Sequence, residues 1–582
     1  VSIDNIETDH WTSMPHLLHP QGWLKSTPAM HNPRRRAASL ATGLVSAAAL
    51  TVGMTACLPI QPVDSGPPHT DVLSVPIGDQ TIIEGGDLVM ALSAEPDRLD
   101  PTTSSSLYTR YVMQTMCQKL YDIDGEGELV PQLATALPSV SEDGLTVTIP
   151  VRQDATFADG TPFDANAVKV TLERGLTMKG SGRKSELGPI DSVEALDASR
   201  VQITYQRPFA PLTAALADRA GMILSPAALA NDDATFGDHP ICVGPFKFVK
   251  RVPQTSITVA RDPLYYDAKN VHLDTITYRI MTDSNIRAAN LRSGDVQVAD
   301  SISPQDIDAL AQQRNVGVLQ VGSLGYQGLT VNIGNTAGVG KPYGAVDTPL
   351  AREALVRQAL SMAIDRKALV NTVFNNWYEP ACSPIPATSP FTSPESEACP
   401  EYNPEKAREL LKEAGVSIPY EAKLLVSNTP DSLRLTQALQ AAVVAGGFSL
   451  TIQPVEYSTL LDVQDRGDFQ LLQLGWSGRP DPHGNMYNFL STGGGNNVAG
   501  YSRPEMDELL TQASQTIDTA QRAKLYGQAI AQVQKDNSII YLYRNRSLTA
   551  YSTTVAGIAT YSDGVVHLSN AAFVEATQGA EK

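Results

Sequence analysis

The sequence predicts an α/β protein with mixed sheets, on three observations. Short apolar segments that alternate with period two recur along the chain. Amphipathic segments with capping residues lie between them. The 582 residues, 42% of them hydrophobic, supply core for two or more domains.

The strands come first. LTVTIPV (Leu145–Val151) sets Leu145, Val147, Ile149 and Val151 on one face, as a half-buried strand requires. VQITYQ, SITVAR, DTITYRI and GLTVNIGN read the same way. Between them, DANAVKVTLERGL starts at an N-capping Asp164, and IRAANLRSG is closed by Gly294. TPLAREALVRQALSMAIDRKALVNTVF reads as one long helix, with Thr348 as cap and Pro349 in the first turn. Leu355, Ala359 and Met362 or Ala363 follow at helical spacing. NPEKARELLKEAG repeats the device, with Asn403 as cap, Pro404 first and Gly415 as stop. No repeat of fixed period is present.

Charge narrows the partners. With 62 acidic and 44 basic residues the formal net charge is −18, which argues against nucleic acid or anionic lipid as the main partner. A charged fraction of 18% is ordinary for a folded protein.

The N-terminal region carries an export signal. From Met30, MHNPRRRAASLATGLVSAAALTVGMTAC has a basic run, an apolar stretch and small residues before Cys57, so residues 30–56 read as a signal peptide. MTAC resembles a lipobox, which makes Cys57 the lipidated residue; ordinary export is favoured over the twin-arginine route. Residues 1–29 have no place in such a leader and read as an extension upstream of the true start. Residues 57–85, rich in Pro and Gly, read as the lipidated Cys and a flexible tether, with order beginning near Gly86.

Four further cysteines remain, an even number that in an exported chain favours disulfides. Cys382 and Cys399 flank SPIPATSPFTSPESEA, a loop that a local bridge would restrain by about 3 kcal/mol. That leaves Cys117 with Cys242. No CxxC or His-rich cluster accompanies them, so no zinc or other metal site is expected.

No catalytic set assembles. GxSxG, P-loop, GxGxxG and HExxH motifs are absent, and the five histidines after Cys57 (His69, His239, His272, His483, His567) are not at metal-ligand spacing. Carboxylates are dispersed. The expectation is a protein that is not an enzyme and uses no cofactor.

The informative signals are ordered words: GDLVMALSAEPDRLDPTTSSSLYTRYVMQTMCQKLYD, ELVPQLATALPSVSEDGLTVTIPVRQDATFADGTPFDANAVK, CVGPFKFVKR, DTPLAREALVRQALSMAIDRKAL and YNPEKARELLKEAG. Together, from about Gly86 to about Ile558, they resemble family 5 of the ABC-transporter substrate-binding proteins, the oligopeptide/dipeptide/nickel-binding lipoproteins. The resemblance implies a two-lobed clamshell of the large type II form, with a hinge. Lobe I would span 86–320 and return over 541–582 with the C-terminal tail; lobe II would span 321–540. The chain would cross near Leu319–Gly325 and Ser538–Arg544. It also implies a monomer that captures a peptide or similar small solute and delivers it to ABC permease and ATPase subunits. The protein would be exported and held at the outer face of the cytoplasmic membrane through Cys57. The alternatives are a binder of an opine, sugar, haem or nickel chelate, and a peptide-signal receptor using the same cleft.

The resemblance also points to site residues. GWSGRPDP falls where the family places a ligand-contacting loop, nominating Trp476, Arg479 and Asp481. In dipeptide-binding relatives an aspartate near this place grips the ligand's α-amino group. If Arg479 takes the role, the polarity reverses and an anionic group becomes the natural partner. In DPTTSSSLYTRY, Ser104, Ser105 and Tyr108 offer hydroxyls from the other lobe. Tyr326, Asn332, Asn497 and Tyr501 are further candidates, whereas FADGTPFDA reads as a structural turn.

Overall fold

A computed structural model describes residues 69–575, and two large mixed sheets organise them. The leader, residues 1–29 and Cys57 lie outside the described residues.

The first sheet has seven strands in the order Phe246–Val252, Ser256–Arg261, Thr275–Ile280, Asp87–Leu92, Val298–Ala299, Arg546–Ser552 and Val316–Gly322. Asp87–Leu92 runs parallel to both neighbours, and Leu88, Met90 and Leu92 are fully buried beneath the helix Leu107–Met116. Burial on both faces is what parallel strands at a sheet centre require. A four-stranded antiparallel sheet, Ser139–Val140, Thr146–Pro150, Arg200–Tyr205 and Ile190–Asp197, extends this first lobe. Val147, Ile149 and Val151 point into its core as their alternation requires.

The second lobe is built on six strands in the order Glu379–Pro380, Ile539–Arg544, Tyr326–Val331, Leu471–Trp476, Tyr420–Ser427 and Phe448–Val455. The chain passes between the two large sheets at two places. One is the short link from Val316–Gly322 to Tyr326–Val331; the other is the single residue Asn545, between Ile539–Arg544 and Arg546–Ser552. Arg544 fastens these links together by donating to the Leu324 and Gly325 carbonyls.

Several sequence expectations hold at the level of single caps. Asp164, Thr348 and Asn403 each accept from a backbone N–H of the first helical turn, and Gly294 closes its helix with φ 85°. The long helix expected from Thr348 is instead three: Pro349–Arg352, Ala354–Met362 and Arg366–Phe374. Glu353 leaves helical geometry at φ −102°, ψ 110°, and Asp365 starts a new helix by accepting from Ala368 N. Apolar spacing continues across both breaks because all three pieces pack on one core. Composition concealed the breaks.

The segment expected to be tether down to residue 85 is pinned over its last part. Val72 pairs with Gln320, Ser74–Val75 with Ile558–Ala559, and Ile82–Ile83 with Phe573–Val574. Cys117 is bonded to Cys242 and Cys382 to Cys399, with Cα separations of 4.9 and 5.1 Å. Among the described residues no helix is long and apolar enough to cross a membrane.

Candidate functional site

The two lobes face each other across two short pieces of chain. In the first lobe the chain leaves Asp87–Leu92, turns through residues 93–105, and enters the helix Leu107–Met116, where Ser106 Oγ accepts from Tyr108 N. In the second, Leu471–Trp476 ends in a loop that leads to the helix His483–Leu490.

The second loop is rigid for identifiable reasons. Gly478 sits at φ 89°, and a Cβ there would lie 2.3 Å from the Leu324 carbonyl carbon, so only glycine fits. The Asn485 amide clamps the loop from inside. Its Oδ1 accepts from Trp476 Nε1 at 3.0 Å and from Arg479 N at 2.7 Å, while its Nδ2 donates to Arg479 O at 2.9 Å. Trp476 is thereby fixed edge-on to Phe489, ring centroids 4.9 Å apart.

Arg479 leaves this loop toward the first lobe. Its guanidinium lies 4.3 Å over the Trp476 ring, and Nη2 is 2.5 Å from Asp218 Oδ2. Asp218 also accepts from Arg110 Nε at 2.7 Å, and Arg110 Nη2 reaches Asp563 Oδ2 at 2.7 Å. Burial works against the Asp218 carboxylate, but Arg110, Arg479, Arg219 and Arg183 outweigh it and hold its pKa well below the ordinary range. Burial pushes Arg479 down to about 9, with Asp218 opposing, so it stays cationic at neutral pH. The Arg479–Asp218 contact is an ion pair without good hydrogen-bond geometry: both atoms lack a hydrogen-bond partner despite their closeness.

Three cavities lie along the junction. The largest, about 720 Å³, has Ser104 and Ser105 on its first-lobe wall and Asn496 on the other. A narrower one of about 70 Å³ shares Ser105 and Asn496 with it and is walled by Tyr326, Tyr457, Trp476 and Phe489. A third, about 220 Å³, shares Tyr457 and Leu474 with the second and adds Tyr108. An aromatic, hydroxyl-bearing passage between lobes is the kind of concavity that encloses a small ligand.

The candidates therefore separate. Ser104, Ser105, Tyr108, Tyr326 and Trp476 line these cavities. Arg479 and Asp481 border a narrower space of about 20 Å³, room for one water. Asp481 is committed within its own lobe, since both its oxygens accept from Arg522 at 2.8 Å and Oδ1 also accepts from His483 N. Asn332 donates to the carbonyls of Asn335 and Gly467, Asn497 to those of Ser491 and Tyr501, and the Tyr501 hydroxyl to Asp536 at 2.7 Å. These last three are spent on the second lobe's own packing.

Sequence reasoning missed Arg110, Asp218, Tyr457 and Phe489. Arg110 stands inside the quoted SLYTRY and its cation was a usable signal. Asp218 had none, because its partner Arg479 is 261 positions away in the chain (479 − 218).

Comparison with known proteins agrees with this architecture. Residues 128–497 match the model of the bacterial extracellular solute-binding proteins, family 5 Middle. The glutathione-binding protein GsiB of Pectobacterium atrosepticum is 29% identical over 501 residues, covering 84% of this chain and 94% of the relative. GsiB of Escherichia coli K12 is 29% identical over 485 residues, 81% of this chain and 91% of the relative. Among solved structures, the binding protein AgaA of A. tumefaciens R10 in complex with agropinic acid superposes with a TM-score of 0.75 at 26% identity, covering 84% of this chain and 99% of AgaA. DppA of Helicobacter pylori, an ABC transporter-associated periplasmic binding protein in complex with the peptide STSA, does so at 0.76 and 23% identity, covering 84% and 99%. The family match spans well over half of the chain, and the two-lobed fold accords with it. The chain belongs to the bacterial extracellular solute-binding proteins, family 5, and is an exported substrate-binding component of an ABC importer rather than an enzyme.

Proposed function

We propose that the protein captures a short peptide of about the size of glutathione between its lobes and presents it to the permease. One observation carries the peptide reading. Leu471–Trp476 pairs with Tyr326–Val331 along its whole length, but with Tyr420–Ser427 only at Leu471 and Leu472. Beyond Leu472 its second edge has no strand partner among the described residues, and Leu474, Gly475 and Trp476 line the aromatic cavity. An extended peptide can add to such an edge through backbone hydrogen bonds, with pockets reading its side chains. The glutathione-binding relatives support the same choice of ligand size.

In this reading Trp476, Tyr326 and Tyr457 pack on the ligand, and Ser104, Ser105 and Tyr108 supply hydroxyls from the facing lobe. Arg479 rather than Asp481 faces the first lobe. Residues 323–325 and Asn545 act as the hinge, and Arg479–Asp218 closes the clamshell. The protein works as a monomer, tethered through a lipid on Cys57.

Calorimetric titration with glutathione and unrelated tripeptides, followed in parallel by tryptophan fluorescence, tests the proposal. A 1:1 heat that Trp476→Ala abolishes is expected. Absence of binding by every peptide would overturn it.

A further inference from the structure

The protein is strongly acidic, yet the 720 Å³ cleft between its lobes is not. Six cations border the 720 Å³ cavity, Lys179, Arg183, Lys184, Arg207, Lys341 and Arg466, against one carboxylate, Asp465. In a chain of net charge −18 that inversion is local. Arg183 is paired with Glu186 and Arg466 with Asp468. For Lys179, Lys184, Arg207 and Lys341, no carboxylate lies within 4.0 Å among the described residues.

A buried cluster at the lobe junction, of which Arg183 lines this cavity, shows the same excess. Arg110, Arg183, Arg219 and Arg479 are buried together with three carboxylates, Asp218, Asp563 and Glu186. Arg110 and Arg479 are matched by Asp563 and Asp218, and Arg183 by Glu186. Arg219 is left with Asp218 Oδ2 at 3.9 Å as its nearest acid, and one donation to the Ser106 carbonyl. A buried cation without a full counter-charge is costly, so such a site favours whatever anion enters beside it. Two polar groups on the cleft wall also wait for a partner. Ser104 Oγ and Arg183 Nε are unbonded, on residues only 1% and 3% exposed.

We infer that the transported solute is an anion, its carboxylate or equivalent oxyanion seated against Ser104 and Arg183 and drawn in by the basic rim. This deepens the solute-capture reading of the same cleft and rests on it. The rim concentrates anions by steering, and the buried Arg183 holds the charge once water is excluded. The seat accounts at once for the unbonded Ser104 and Arg183 groups and the reversal of charge at the cleft. It also gives the ligand a direction, with its acidic end toward the 720 Å³ cavity and the remainder toward Tyr326 and Trp476.

The test uses tri-alanine in four forms: free, N-acetylated, C-amidated and blocked at both ends. The free and N-acetylated forms should bind the mature protein alike, and C-amidation should weaken binding about tenfold or more. Lys184→Gln and Arg207→Gln, both at exposed positions, should lower affinity for the free peptide and flatten its dependence on salt. Equal binding of free and amidated peptide, or a larger penalty for N-acetylation, would overturn the inference. If no form binds, the peptide reading fails, and the anion inference is decided separately with inorganic sulfate. Sulfate should then raise the unfolding temperature of the wild type more than that of Arg183→Gln, and equal shifts would overturn it.

Discussion

Arg479 and Asp218 meet at 2.5 Å across the junction of the two lobes, the one beneath a tryptophan and the other held by Arg110. They belong to different lobes, so the pair exists only when the lobes are together.

Removing the acid of this pair leaves Arg479 buried without its carboxylate and Arg110 with Asp563 alone. Asp218→Asn should cost about 3–5 kcal/mol in denaturant unfolding, the usual range for removing one partner of a buried pair. Double substitution with Arg479→Met should recover part of that loss. A double-variant loss equal to the sum of the two single-variant losses would mean the two residues are not coupled.

Asn485 is the second lever. Asn485→Ala frees Trp476 Nε1 and Arg479 N inside the protein, and should cost about 1–3 kcal/mol for each donor left unsatisfied. Trp476 emission should shift to longer wavelength as the ring loosens. Unchanged emission would mean that packing against Phe489 alone positions the indole.

His483 makes stability depend on pH. Burial against Tyr487 and Phe209 pushes its pKa down to about 4, so the folded state prefers the neutral ring. The unfolded chain then binds more protons between about pH 6.5 and 4, and stability is full above that window and falls as pH drops through it. His483→Phe should remove about 3 kcal/mol of the fall, measured as the difference between the two unfolding profiles. Parallel profiles would show that His483 does not contribute.

The disulfides should differ in worth. Cys117–Cys242 closes a separation of 125 residues and Cys382–Cys399 one of 17. The chain-entropy model gives about 5 and about 3 kcal/mol. Paired Cys→Ser substitutions, compared by unfolding, should follow that order, and the reverse order would place the difference in native packing.

Legibility in the sequence followed distance along the chain. Caps such as Asp164 and Asn403 were readable because donor and acceptor lie within a turn. The cysteine pairing was readable because few pairings exist. Glu353 and Asp365 broke an expected helix because apolar spacing reports the shared core and not the backbone between pieces. Trp476 and Ser105 were reachable through the family's ordered words. Asp218 was not, since nothing near it in sequence announces a partner on the other lobe. Asn332, Asn497 and Tyr501 show the converse: polar residues beside glycine-rich turns look available, but their hydrogen bonds are consumed by neighbouring backbone and by Asp536.

In the proposed function a peptide is captured along the open edge of Leu471–Trp476, with both lobes engaged at once. Hydrogen exchange with and without saturating peptide tests it most directly. Slowed exchange at Gln473–Trp476 together with Ser104–Arg110 in the same complex is expected. Protection confined to one of these segments, or to neither while the peptide is demonstrably bound, would contradict it.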